Sequence, residues 1–186
     1  MEDGAKHVSA FRMQRTEVTQ KQWEKVMGTN PSYFKGPEHP VENVSWNDCQ
    51  EFIKHVSALD GIPYRLPTEE EWEYACRAGS TGDWCKRKNG EEGPLSVMGW
   101  YEDNSEDCTH PVAQKEPNAW GLYDMQGNVW EWCADLHGLG ILYCVPRGGS
   151  WRDRYADPCA ADFRGNGYHL DNRYSSLGFR LVSPQD

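Results

Sequence analysis

Asn118-Ala119-Trp120-Gly121-Leu122-Tyr123-Asp124-Met125-Gln126-Gly127-Asn128-Val129-Trp130-Glu131-Trp132 carries two kinds of local signal, turn residues and a short apolar run. Turn formers at Asn118, Gly121 and Gly127-Asn128 break it every few residues, so no apolar period lasts over a helix length. Its end, Val129-Trp130-Glu131-Trp132, reads as a short strand. The same texture runs from Gly79 to the C-terminus, where Leu177 to Val182 reads as another strand. Nine Trp in 186 residues suit such a chain. Indole rings fill the gaps that irregular backbone leaves, and each needs a partner for its N–H.

Upstream of Gly79 the pattern is helical. Thr19 caps a helix that runs to Met27 and stops at Gly28. Ser45 opens a second, with Asp48 in capping-box position and Val44 as the staple. Cys49, Phe52, Ile53 and Val56 follow at i, i+3, i+4 and i+7, one buried face. Thr68, with Glu71 as its reciprocal cap, opens a third whose inner face is Trp72, Ala75 and Cys76, ending at Gly79. The fold class is therefore α+β: two or three N-terminal helices, then short antiparallel strands and much irregular structure. With no linker, low-complexity tract or internal repeat, residues 1–186 read as a single domain. A domain this long buries roughly 70% of its unfolded surface.

Composition narrows the function classes. The formal net charge of −10 argues against nucleic-acid binding, which needs a basic face to displace phosphate counterions. No apolar run approaches the roughly 20 residues of a membrane span, and Met1-Glu2-Asp3-Gly4 does not read as a secretory leader. Seven cysteines, at 49, 76, 85, 108, 133, 144 and 159, contain no CxxC pair. Cys49 reads as an inert core thiol. For Cys85, Cys108, Cys133 and Cys144, two disulfides, a reduced state, or zinc held by Cys85, Cys108 and His110 all stay open.

Several blocks resemble the formylglycine-generating enzyme (sulfatase-modifying factor) family. They are Gly28–Gly36, Pro40–Trp46, Tyr64–Ala75, Asn118–Trp132, Arg147-Gly148-Gly149-Ser150-Trp151 and Gly178-Phe179-Arg180-Leu181-Val182, in the family's order along nearly the whole chain. The resemblance implies a variant of the C-type lectin fold. It also implies a disulfide between Cys76 and Cys159. The ends of the family's second bridge fall at the apolar Ile53 and Leu181. A calcium site is implied at Asp124, Gly127, Val129 and Glu131, whose two carboxylates and two backbone carbonyls are hard oxygen ligands. The alternative reading of those residues is a hairpin turn with a satisfied Glu131. The oxidases of the family hold copper with two cysteines and use oxygen to attack a sulfatase cysteine. Their positions fall here at Asp153 and near Pro158, so the soft thiolate pair that copper needs is missing, and neither copper nor catalysis is expected. A catalytically dead regulatory relative of the oxidase is one alternative; a sugar-binding calcium lectin is another, but its one triplet, Glu116-Pro117-Asn118, lies in the family's own turn.

Residues 152–176 contain no Lys, Glu, Gln, Met or Trp, where the chain-wide frequencies would place about six. Those five residues are the ones an AAC codon cannot reach by changing its adenines alone. That bias, the Gly-Gly-Ser-Trp start and the Gly-Phe-Arg end give a closer resemblance, to the variable proteins of diversity-generating retroelements. Four Arg and four Asp leave the segment neutral, and Tyr with Ser, Gly and Asn is the mixture paratopes use. The expected variable, ligand-facing positions are Arg152, Asp153, Arg154, Tyr155, Asp157, Gly165, Gly167, Tyr168, His169, Asp171, Tyr174, Ser175 and Ser176. Ala161, Arg164, Arg173 and Leu177 to Arg180 are expected to be fixed scaffold. The resemblance implies an unidentified protein or cell-surface ligand, with the chain at a cell surface, secreted or on a phage particle.

Overall fold

The computed structural model describes residues 8–185; the acidic start Met1–Gly4 lies outside them. Local hydrogen bonding sets the helices α1 (Gln20–Met27), α2 (Trp46–Asp60) and α3 (Glu69–Arg77). Each opens on a complete capping box, Thr19/Gln22, Ser45/Asp48 and Thr68/Glu71, which satisfies two otherwise orphaned backbone donors. α1 and α2 end on left-handed Gly28 and Gly61. α3 ends one residue before the expected Gly79, on left-handed Ala78. A four-residue turn of helix, α4 (Leu95–Met98), was not anticipated.

The strands are short and pair across long sequence distances. β1 (Phe11–Met13) runs antiparallel to β6 (Val182–Pro184). β2 (Trp130–Glu131) lies parallel to β5 (Leu177–Gly178), and β3 (Tyr143–Cys144) antiparallel to β4 (Tyr168–His169). The expected strand at 177–182 is thus two. It breaks because Phe179 and Arg180 both turn into the interior instead of alternating between faces.

Trp23 stacks on Phe52 at 5.2 Å, and both rings meet Phe179 edge-on, joining α1, α2 and the closing segment. Trp46, Trp72, Trp132 and Trp151 donate their indole N–H groups to Cys133 O, Glu131 Oε2, Val44 O and Ser175 O at 2.8–3.0 Å. Trp23 and Trp100 depart from the expectation: their buried Nε1 atoms have no protein partner, so packing alone holds these rings.

Candidate functional site

The frame around residues 152–176 is built before the segment begins and closed after it ends. Trp151 N donates to Asn128 O at 2.8 Å, and its indole reaches across to Ser175 O. Trp130 N donates to Ser176 O at 2.8 Å, which locks the far end to β2. Between these points scaffold groups tie the backbone down. Ala161 N donates to Asp83 O (2.8 Å), Gly165 N to Pro146 O (3.1 Å), and Asn43 N to Tyr174 O (2.9 Å). Gln126 Nε2 donates to Cys159 O and Arg147 Nη2 to Ala161 O, both at 2.8 Å. Two segment arginines return the favour: Arg164 forks onto Glu69 at 2.7 and 2.9 Å, and Arg173 onto Asp48 at 2.7 and 2.9 Å. Such bidentate pairs fix orientation as well as charge.

With the backbone held this way, many side chains are free. Arg152, Arg154, Tyr155, Asp157, His169, Asp171 and Tyr174 are exposed, as are Gly167 and the unassigned Asp162, Phe163 and Asn166. Tyr155 is 67% exposed and Tyr174 38%, so neither is a core residue. Tyr168 is half-buried, edge-on to Trp132 at 6.3 Å and 4.9 Å from the Tyr174 ring. Burial first, then Tyr174 and Asp153, push the Tyr168 phenol up, and Arg152 opposes them. Asp171 accepts from Asn47 Nδ2 at 2.7 Å.

One expected variable position needs correction, and two glycines are closely packed. Ser176 is buried, 7% exposed, because its carbonyl is the one that β2 holds. Gly165 and Gly167 lie close to scaffold groups: a Cβ on Gly165 would meet Pro146 O at 3.0 Å, and one on Gly167 would overlap the Tyr143 ring of β3. A larger residue at either demands movement of the scaffold. Asp153 and Ser175 are half-buried, and the Ser150 hydroxyl donates to Asp153 Oδ2 at 2.7 Å.

At the implied calcium residues, Asp124 and Glu131 are both buried. Glu131 is fully engaged: Arg180 Nε and Nη2 donate to its two oxygens at 2.8 and 2.7 Å, and Trp72 Nε1 adds a third bond. Asp124 Oδ2 accepts from Ala113 N at 2.7 Å, while its Oδ1 and the neighbouring Glu17 Oε2 are buried without a partner. Burial, eased by the Ala113 bond and Arg180, leaves Asp124 pushed up to about 6. The donor set fits a cation in part: Asp124 has a free oxygen, Glu131 has none. Among the described residues no group of three or more His, Cys, Asp or Glu is arranged around a metal; Cys108 and His110 instead both face Ser105 O.

The implied Cys76–Cys159 pair is not bridged. All seven thiols are free. Cys76 Sγ lies 3.2 Å from Cys85 Sγ, whereas Cys159 packs beneath Gly149, where any Cβ would overlap its sulfur. That contact accounts for the left-handed glycine at the Gly-Gly-Ser turn.

One feature escaped the sequence reading. A cleft of about 530 Å³ beside the segment is lined by Glu69, Glu73, Asp135, His137, Arg147 and Arg164, among others. Burial opposes ionisation of Glu69, but bonds from Arg164 and His137 outweigh it and hold the carboxyl below its usual range. The Arg147 side chain is 2% exposed and keeps an unpartnered Nε. Arg147 heads the Arg-Gly-Gly-Ser-Trp block and Glu69 follows a cap, so both were read only as local signals.

The chain matches the model of the sulfatase-modifying factor enzyme 1-like domain over residues 3–185. It is 32% identical to the formylglycine-generating enzyme of Streptomyces coelicolor across 88% of this chain and 59% of that one. It is 37% identical to the inactive C-alpha-formylglycine-generating enzyme 2 of Mus musculus, across 87% and 54%; the chain thus spans little more than half the length of these relatives. The solved structure of Treponema denticola variable protein 1 superposes with a TM-score of 0.86 at 32% identity, covering 94% of this chain and 84% of that one. The Major Tropism Determinant U1 variant, at 14% identity and a TM-score of 0.58, shares the fold. A C-type lectin-like frame closed by Trp151 and Arg180, matched end to end by the domain and by a variable protein, places the chain in the sulfatase-modifying factor family, among whose folds diversity-generating variable proteins are found.

Proposed function

We propose that this protein is a non-enzymatic binding protein that displays segment 152–176 as a diversified surface. The observation that carries this reading is the separation of support from display. Scaffold donors and acceptors hold the segment's backbone, while Arg152, Arg154, Tyr155, His169, Asp171 and Tyr174 extend into solvent. A surface that changes its residues needs a backbone that does not depend on them, since a packed core feels a single methylene. Affinity would come from a few aromatic and Arg anchors. The ligand class is a protein or other cell-surface molecule, and a cell-surface, secreted or phage setting follows from the same reading.

The test is a library in which those six codons become NNC, the adenine-reachable set, scored by protease resistance of displayed clones. Most clones are expected to fold as the parent does. A library that largely fails to fold would overturn the reading. A genomic copy of the segment differing only at adenines, beside a reverse transcriptase gene, would support it independently.

The oxidase alternative needs two thiolates where Asp153 and Pro158 stand. A carboxylate already bonded to Ser150 and a proline offer no soft ligand for Cu(I). No formylglycine is expected from a sulfatase-type cysteine peptide with Cu(I) and oxygen. Calcium remains a proposal carried by the unpartnered oxygens of Asp124 and Glu17. If it binds, excess Ca2+ raises the Tm over that in chelator by mass action, and Asp124→Asn abolishes the rise.

A further inference from the structure

Cys76 is the penultimate residue of α3, and Cys85 lies nine residues on. The chain reverses sharply between them. Ala78 and Gly79 both adopt positive φ, at 46° and 90°, and Ser80 N donates to Arg77 O at 2.9 Å. Lys86 N then returns to the same Arg77 carbonyl at 3.2 Å. The backbone pair 77/86 sets the preceding residues, 76 and 85, side by side. Their sulfurs lie 3.2 Å apart, and both side chains are buried, at 0% and 1% exposed. Neither thiol has a role in the surface described above.

We propose that Cys76 and Cys85 form this protein's disulfide when it meets an oxidant of the glutathione-disulfide class, leaving Cys159 reduced. One protein thiolate attacks the glutathione disulfide and releases one glutathione. The second then attacks the protein sulfur of the mixed disulfide and releases the other. Two protein S–H bonds are lost, one S–S bond forms, and the two protons and two electrons leave as two glutathione thiols. Burial and the neighbouring Cys76 push the Cys85 thiol well above its ordinary range, so the reaction is slow at neutral pH and faster in alkali, because only the thiolate attacks.

The bridge has a structural consequence. It ties the end of α3 to the loop that supports the displayed segment, since Asp83 O receives Ala161 N, and Gln126 links Cys85 N to Cys159 O. Cys159 sits under Gly149, where its sulfur fills the space that a Cβ would need.

Non-reduced peptide mapping tests the assignment. Folded, reduced protein is equilibrated with glutathione disulfide at alkaline pH, free thiols are alkylated after unfolding, and the protein is cut with trypsin. A disulfide between peptides 66–77 and 78–86 is expected, with five of the seven thiols alkylated. The Tm is expected to rise by about 5 °C, as for a short closed loop in a chain of this size. Cys159→Ser should leave the link intact. A link from 66–77 to 155–164, a stable glutathione adduct on Cys76 or Cys85, or both of these thiols recovered alkylated would overturn the proposal.

Discussion

Helices α1–α3 and segment 152–176 keep their shapes in opposite ways. The helices satisfy their own backbone groups through caps and i→i−4 bonds, and each turns one face, with Trp23, with Cys49, Phe52 and Ile53, or with Trp72, Ala75 and Cys76, to the core. The segment has one 3-10 turn, Asp157–Cys159, and one two-residue strand of its own. Five further points of its backbone are bonded to Asp83, Gln126, Asn43, Pro146 and Trp130 in the scaffold. Outsourcing the backbone in this way frees the side chains. An irregular segment can be as well determined as a helix, provided its partners lie elsewhere in the chain.

The largest expected effect sits where the two regions share an anchor. Glu131→Ala strands the fully buried guanidinium of Arg180, and breaking a buried pair from one side costs about 3–5 kcal/mol. Phe179→Ala, which empties a ring site against Trp23 and Phe52, belongs in the same range. Urea denaturation of both variants checks this; a loss under 1 kcal/mol would break the idea that the segment hangs on this frame.

Glu42 comes next. It is wholly buried at the foot of the segment, one oxygen accepting from Phe34 N and the other unpartnered. Burial outweighs that bond and pushes its carboxyl up to about 7. A raised carboxyl binds its proton more tightly folded than unfolded, so its contribution is full below the unfolded value near 4.5 and lost as pH rises through about 7. Stability should therefore fall between pH 5 and pH 8. Glu42→Gln should flatten that slope and raise stability at pH 8 by on the order of 1–2 kcal/mol. An unchanged pH profile in the variant would remove Glu42 as its source.

Ser45→Ala removes one arm of a capping box and should cost about 1 kcal/mol, a purely local loss. Tyr155→Ala and Arg154→Ala, at exposed display positions, should each stay within about 0.5 kcal/mol. Tyr168→Ala should exceed both, since its ring rests on Trp132 and Tyr174. A stability scan ranking Tyr155 above Ser45 would invert the comparison and return the segment to the core.

Much of this was legible in the chain because it is local. Thr19, Ser45 and Thr68 with their partners three residues on announced the helices, since a capping box closes within a single turn. The missing Lys, Glu, Gln, Met and Trp in 152–176 marked the segment, because codon chemistry is written along the sequence. Buried Ser176, the scaffold behind Gly165 and Gly167, and the two-strand ending left no such trace. Each depends on what another part of the chain places beside it.

The chain alone set three helix starts, the irregular C-terminal half and the compositional boundary of 152–176, all legible within a few residues. Packing across the fold commits Glu131 to Arg180, 49 residues away, brings Arg147 and Arg164 together at Glu69, and sets Cys76 Sγ 3.2 Å from Cys85 Sγ. The physical reason is that propensity and capping act through near neighbours. Ion pairs, thiol contacts and burial are set by which distant segments the packed core brings together.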